Sequence, residues 1–210
     1  MAKILLAIPT LGSLHERTSA AATVISRRLD VDYITVTGRP VDYVRNGILR
    51  MFLSKDFTHL MLLDSDVEPP LDCIERLLAL DVPLATGCYP VMMHQGLRWA
   101  LANKDADQHY RLLARLESDS QPFEVDAGGA GCILIRRDVF DKVAWPWFKW
   151  VENEDGSQTS EDIYFFQKCN EVGLRMMVEP TVICNHFKEI NITDLMRLIM
   201  QKGKAKKDVD

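Results

Sequence analysis

The sequence predicts an α/β fold with a mostly parallel central sheet flanked by helices, and three observations predict it. Short apolar runs alternate with helix-compatible stretches over residues 4–86, the pattern of strand–helix units feeding one sheet. The runs at 4–8 and 60–63 are apolar without alternation, as strands covered on both faces are. The second run stops abruptly at Asp64-Ser65-Asp66. This sets carboxylates at the carboxyl end of a strand, the edge where open α/β sheets bind ligands.

Each element has a local cause. Residues 4–8 are expected to form the first strand, stopped by Pro9, with a polar turn over 10–13. Residues 14–29 are alanine-rich and helix-compatible. Residues 31–36 carry the β-branched and aromatic side chains of a second strand, and 37–40 form a loop. Val44, Ile48, Met51 and Phe52 recur at helical spacing and give a helix over 42–54. Residues 58–63 form the third strand. Pro69 and Pro70 start a helix that runs to Leu80, since proline is tolerated in a first turn, and 82–86 form a fourth strand. The second half is less regular, and the polar stretch 103–122 predicts no element. Short strands are expected at 124–126 and 132–135, then an aromatic loop at 145–150. A helix over 160–172 is closed by Gly173, where glycine suits a left-handed cap. Short strands at 176–178 and 182–184 and a final helix over 193–200 complete the chain.

Composition sets bounds. The 210 residues suit one domain with a small subregion. The net charge of −5 gives no overall pull towards nucleic acid or acidic lipid, and the one basic cluster, Lys202, Lys204, Lys206 and Lys207, reads as a flexible tail over 201–210, with a phosphate-binding arm as the alternative. Five scattered cysteines without a Cys-x-x-Cys pair are expected as reduced thiols of a cytoplasmic compartment. No stretch approaches the ~20 apolar residues needed to cross a bilayer, so no transmembrane segment is expected.

Six constellations carry candidate chemistry. Asp64 and Asp66 repel each other and invite a divalent cation, Mg2+ or Mn2+ by the hardness of their oxygens; the plain alternative is a polar turn. Glu161 and Asp162 open a helix after Ser160: as first-turn acids they complement its dipole, and Asp162 there stays ionised as a candidate general base. Thr159 with Asp162, or Ser160 alone, caps that helix. Gly128, Gly129 and Gly131 let backbone approach a ligand, or make a tight turn; with no Lys-Ser/Thr following they are not a P-loop. His186, at a strand end, is a candidate third metal ligand, a context that His15, His59, His94 and His109 lack. Arg45 and Asn46 open a helix as phosphate or ribose contacts, or as a solvated helix end. Trp145, Trp147, Phe148 and Trp150 crowd one loop, as a satellite core or a stacking platform.

In this order and spacing the residues resemble a GT-A fold glycosyltransferase. The matching pieces are Ala7 to Thr10, Arg45-Asn46, Leu62 to Val67, Gly128 to Arg137, Ser160 to Phe165, and the strand ending in His186. The likeness covers about residues 3–187 and is nearest to compact, family-2-like chains of bacteriophage genomes. It implies a Rossmann-like nucleotide-diphospho-sugar transferase with a small mixed acceptor-side subregion. One domain would span 1–200, with a nucleotide-binding half at 1–100 and an acceptor half at 101–190. It further implies a hexosyl- or pentosyltransferase. Asp66 would bind the Mn2+ or Mg2+ that bridges a donor diphosphate, Asp64 the same ion or the ribose, and His186 would complete the metal site. Pro9, Thr10, Arg45 and Asn46, with Ser65, would line the nucleotide, and Gly128 and Gly129 would lie by the donor sugar. Asp162, or Glu161, would be the base of an inverting mechanism. The sequence departs from the pattern after the second strand, where Val36-Thr37-Gly38 stands in place of an acidic base contact.

The partner implied is a nucleotide sugar. The acceptor stays open between a glycan, a protein, a lipid and a hydroxymethylated DNA base, and the location would be the host cytoplasm for a phage-encoded chain. Two other readings compete: a sugar-phosphate nucleotidyltransferase, for which 10–13 is a poor basic loop, and a catalytically silent nucleotide- or glycan-binding module. Oligomeric state is open.

Overall fold

The computed structural model describes residues 2–29, 31–93, 96–193, 195–197 and 200. The basic tail, 201–210, lies outside the described residues, as do parts of the predicted final helix, 194 and 198–199.

The chain begins with β1 (Ile4–Thr10), α1 (Glu16–Leu29), β2 (Asp32–Thr37), α2 (Val41–Leu53) and β3 (His59–Leu63). Next come β4 (Val67–Glu68), α3 (Cys73–Ala79) and β5 (Leu84–Cys88). Two small ribbons follow, from β6 (Pro90–Met93), β7 (Gly96–Trp99), β8 (Leu101–Lys104) and β9 (Tyr110–Leu112). The remainder is β10 (Phe123–Val125), β11 (Ala127–Gly128), β12 (Cys132–Arg136), α4 (Val139–Lys142), β13 (Val151–Glu152), β14 (Gln158–Thr159), α5 (Glu161–Glu171), β15 (Met176–Ile183) and β16 (Asn185–His186).

Seven strands form the central sheet in the order β10-β15-β5-β12-β3-β1-β2. Five of them, β1, β2, β3, β5 and β15, run one way, and β10 and β12 run against them. The sheet is therefore mixed in its pairings. The reversed β12 sits between β3 and β5, so its amino-terminal end, and the glycines before it, meet the carboxyl ends of its neighbours.

The apolar runs lack alternation because each face of the sheet has its own core. Leu5 and Ala7 pack on one side with Val44, Ile48 and Phe52 of α2 and Phe165 and Phe166 of α5. Ile4, Leu6 and Ile8 pack on the other with Ala22 and Ile25 of α1 and Ile74 and Leu77 of α3. Successive strand residues point to opposite faces, so a strand covered twice must be apolar throughout. Phe52 is fully enclosed, and its truncation to alanine would cost about 3–5 kcal/mol.

Several boundaries differ from the sequence expectation, each for a physical reason. Pro9 does not stop β1. The pairing with β3 ends at Ala7–Leu62, so beyond it only β2 neighbours the strand, and Pro9 need not serve ladders on both sides. Pro69 and Pro70 precede α3 instead of starting it. The two strands expected at 176–178 and 182–184 are one, β15, with a register shift between Val178 and Ile183. The stretch 103–122, polar and without prediction, includes β9, which pairs with β8. Gly173 does close α5, at φ +75°.

Candidate active site

The carboxyl edge of the sheet gathers the chemistry. The peptide N–H of Asp64, just past β3, donates to the Gly131 carbonyl at 3.0 Å, and Val67 N–H returns to the Asp64 carbonyl at 3.1 Å. This turn leads into β4, which pairs antiparallel with β16, His186 opposite Val67. Phe187 N–H then donates to the Asp66 carbonyl at 2.9 Å. The histidine is thus held beside the Asp-Ser-Asp turn by backbone pairing across 120 positions of sequence (186 − 66).

Arg45 organises the other side of the turn. It lies in the second turn of α2 on the same face as Val44 and Ile48, and only 3% of its side chain is exposed. Its Nη2 donates to Asp64 Oδ1 at 2.7 Å, and its Nη1 donates to Glu161 Oε1 at 2.6 Å and to Asp162 Oδ1. The guanidinium also lies 5.5 Å from the centre of the Phe148 ring. Burial works against its charge, but attraction by Asp162, Asp64 and Glu161 outweighs burial and keeps it protonated. One cation faces three carboxylates, which leaves a formal excess of two negative charges. Burial raises Asp162 and Glu161 above the ordinary carboxylate range, with Arg45 opposing. Ser160 caps α5 directly, accepting from Ile163 N–H at 3.5 Å, which places both acids in the first turn.

Asp66 stands apart from this cluster. Its Oδ2 lies 3.5 Å from His186 Nε2 and 2.5 Å from Lys188 Nζ. Burial pushes Asp66 up, but hydrogen bonds from His186 and Lys188 overcome it and hold the carboxyl at about 2. His186 Nδ1 lies 2.7 Å from the Pro90 carbonyl, a partner that only accepts, so Nδ1 carries a proton. Its Nε2 therefore faces the Asp66 carboxylate, and the bond to Asp66 raises the imidazole above its ordinary value.

The three sequence-predicted metal ligands are only partly brought together. Asp66 and His186 meet, while Asp64 is drawn to Arg45, and the three do not converge. Among the described residues the group whose ligand atoms all lie within 4.8 Å is Asp105, Asp107 and His109, on the turn between β8 and β9. Within that group the Asp105 carboxylate is already engaged: its Oδ1 accepts from the Asp107 and His109 peptide N–H groups, and its Oδ2 accepts from Arg111 Nε at 2.7 Å.

Two clefts open here. A cavity of about 250 Å³ lies over the ends of β1, β2 and β3, lined by Pro9, Thr10, Gly38, Arg45, Ser65 and Asp66 among others. A cleft of about 1170 Å³ runs past Tyr89, Gly128, Gly129, Trp150 and His186 to α5. They share Asp64 and Asp162.

Asn46 is turned away from both. Its Nδ2 donates to the Asp42 and Phe148 carbonyls at 2.8 and 2.7 Å, and its Oδ1 accepts from the Trp147 and Phe148 peptide N–H groups at 3.2 Å each. It holds the aromatic loop. Trp147 and Phe148 of that loop are core, whereas Trp145 and Trp150 are exposed. The glycines have a steric reason to be there. A Cβ at Gly129 would lie 2.0 Å from the Tyr89 hydroxyl, and one at Gly131 would lie 2.7 Å from both that hydroxyl and Asp64 Oδ2. The sequence reading missed Tyr89 and Lys188. Lys188 carried one local signal, its place two residues beyond His186. Tyr89 carried none, because its partner, Gly131 N–H at 3.0 Å, lies 42 positions away.

No protein-family model matches the sequence, and no curated protein matches it. Solved structures do. A197 from STIV is 23% identical with a TM-score of 0.61, over 89% of this chain and 86% of that one. GalNAc-T7, solved with UDP, GalNAc and Mn2+, is 12% identical with a TM-score of 0.58, over 91% of this chain but 45% of its own. The chain is thus similar in fold to a GT-A glycosyltransferase. Among the described residues no helix is long and apolar enough to cross a membrane.

Proposed function

We propose that the chain is a metal-dependent glycosyltransferase that moves a hexosyl or pentosyl group from a nucleotide-diphosphate donor to an acceptor hydroxyl. The observation that carries this reading is the junction of the two clefts at Asp64 and Asp162. The small cavity lies where a doubly covered parallel sheet binds nucleotides, at its carboxyl edge. The large one reaches the same two carboxylates from the other side. Residues 1–100 would hold the nucleotide and 101–190 the acceptor, within one domain over 1–200.

The residues fit a divalent cation. Asp66 Oδ2 and His186 Nε2, 3.5 Å apart, would offer one oxygen and, with Nδ1 holding the proton of the neutral imidazole, one nitrogen to a cation, which would take the place of Lys188 Nζ beside the same oxygen. Asp66 and His186, with Asp64, would hold Mn2+ or Mg2+. When bound, that ion would neutralise charge on the departing diphosphate. GalNAc-T7, of similar fold, was solved with UDP and Mn2+, which supports the same chemistry here.

The remaining work falls to the chain. Pro9, Thr10 and Ser65 would bound the nucleotide. Arg45 fixes the positions of Asp64, Glu161 and Asp162. Asp162, 20% exposed at its side chain against 7% for Glu161, would be the acid that meets an acceptor. It would take the proton as the acceptor oxygen bonds to the sugar carbon and the bond to the diphosphate breaks, the diphosphate leaving with the electron pair. Calorimetry with a panel of nucleoside diphosphates and their sugars, with Mn2+ or Mg2+, tests the reading. Cation-dependent binding that is lost in Asp66→Ala is expected; binding unchanged by that variant counts against it.

A further inference from the structure

We infer that the large cleft takes an uncharged saccharide. Calling that ligand the acceptor rests on the transferase reading above, whereas its chemical class is argued from the walls alone. The cleft, about 1170 Å³, exceeds the ~300–1,000 Å³ of ordinary small-molecule pockets and suits an extended ligand.

Its charges exclude a polyanion. The walls carry four carboxylates, Glu154 and Asp155 together with Asp64 and Asp162, which share the one Arg45 guanidinium, against two permanent cations. Both cations are already engaged: Arg111 Nε with Asp105 at 2.7 Å, and Lys188 Nζ with Asp66 at 2.5 Å. A nucleic acid is bound chiefly by cations that neutralise its phosphates, and among the described residues this cleft offers no unpaired Lys or Arg.

Its uncharged groups select hydroxyls. The side-chain amides of Gln108, Gln158 and Gln167 line the cleft and make no hydrogen bond to any described residue. Each amide offers two donors and an acceptor, the complement of a polyol. Trp150, 47% exposed, lines the same cleft, and an indole ring is a surface on which the C–H face of a sugar stacks. A lipid chain would strip water from those amides without replacing its hydrogen bonds.

The test uses the intact chain on an array of neutral, sulfated and sialylated oligosaccharides, with peptides and a hydroxymethylcytosine-containing duplex alongside. The strongest neutral ligand is then titrated against Trp150→Ala and Gln158→Ala, both at the protein surface. Binding of UDP and other nucleoside diphosphates with Mn2+ is measured in parallel. Neutral oligosaccharides should bind, each variant should weaken them at least tenfold, and nucleotide binding should not change. Preference for the duplex, for anionic glycans or for peptides would overturn the inference. So would neutral binding indifferent to both variants, or no neutral binding while nucleotides still bind. Saccharide binding that responds to the variants in a chain that binds no nucleotide would uphold this cleft and sink the transferase reading.

Discussion

Arg45 and Glu161 form a buried ion pair, Nη1 to Oε1 at 2.6 Å, between positions 116 apart in sequence. Asp64 and Asp162 share the same guanidinium. Arg45→Met should therefore cost about 3–5 kcal/mol, because it leaves buried carboxylates without a counter-ion. The sign with pH follows from crowding. Burial already holds Asp162 and Glu161 above the ordinary carboxylate range against the pull of Arg45, and loss of Arg45 raises them further, so the associated stability is full below the unfolded values and is lost as pH rises through the folded ones. Chemical denaturation should show a larger deficit near pH 8 than near pH 5. A midpoint equal to that of the unaltered chain at both values would mean that the pair contributes nothing.

Asp162→Asn should keep nucleotide binding and lower transfer about 10²–10⁴-fold, the usual contribution of a general base. Burial raises Asp162 above the ordinary aspartate range, so the acid limb of the kcat/KM profile should lie above that range. Turnover should rise with pH through this limb as the carboxylate ionises, and the limb should vanish in the variant. Unaltered turnover would reduce Asp162 to a partner of Arg45 and a first-turn acid.

His186→Ala removes an imidazole whose Nδ1 is fixed by the Pro90 carbonyl. The expected outcome is a 10–100-fold loss of cation-dependent nucleotide affinity, about the scale seen when a metal's surroundings are altered. Titration with Mn2+ at fixed nucleotide reads it directly. Equal Mn2+ dependence in both chains would remove His186 from the site.

Asn46→Ala separates structure from binding. Asn46 satisfies two peptide N–H groups and two carbonyls, so its loss should cost about 2–4 kcal/mol in unfolding free energy. Nucleotide affinity should hold in the folded variant. A loss of affinity at unchanged stability would return Asn46 to the nucleotide pocket.

Gly131→Ala places a methyl 2.7 Å from Asp64 Oδ2 and the Tyr89 hydroxyl. Overpacking of this kind costs about 1–3 kcal/mol. Because Asp64 must move, transfer should fall further than the melting temperature suggests. Activity that tracks stability alone would show that Asp64 tolerates the shift.

Much of the frame was legible in the chain itself. The double-faced apolar runs, the helical spacing of Val44, Ile48 and Phe52, the capped start of α5 and the carboxylates after β3 are each written within a few neighbouring residues. Periodicity and capping are local physics, so a local reading finds them. The alternation of elements announced an α/β sheet for the same reason. What no window of sequence holds is choice of partner. That β12 runs backwards between β3 and β5, carrying the glycines to Asp64, depends on which strand edges pair. That β4 meets β16, and so Asp66 meets His186 and Lys188, depends on closure of the whole chain. Arg45 and Asn46 look alike as adjacent polar residues on one helix, yet one is buried among three acids and the other clasps a loop. Adjacent positions on a helix point about 100° apart, and what each then touches is decided by the packed neighbours around it.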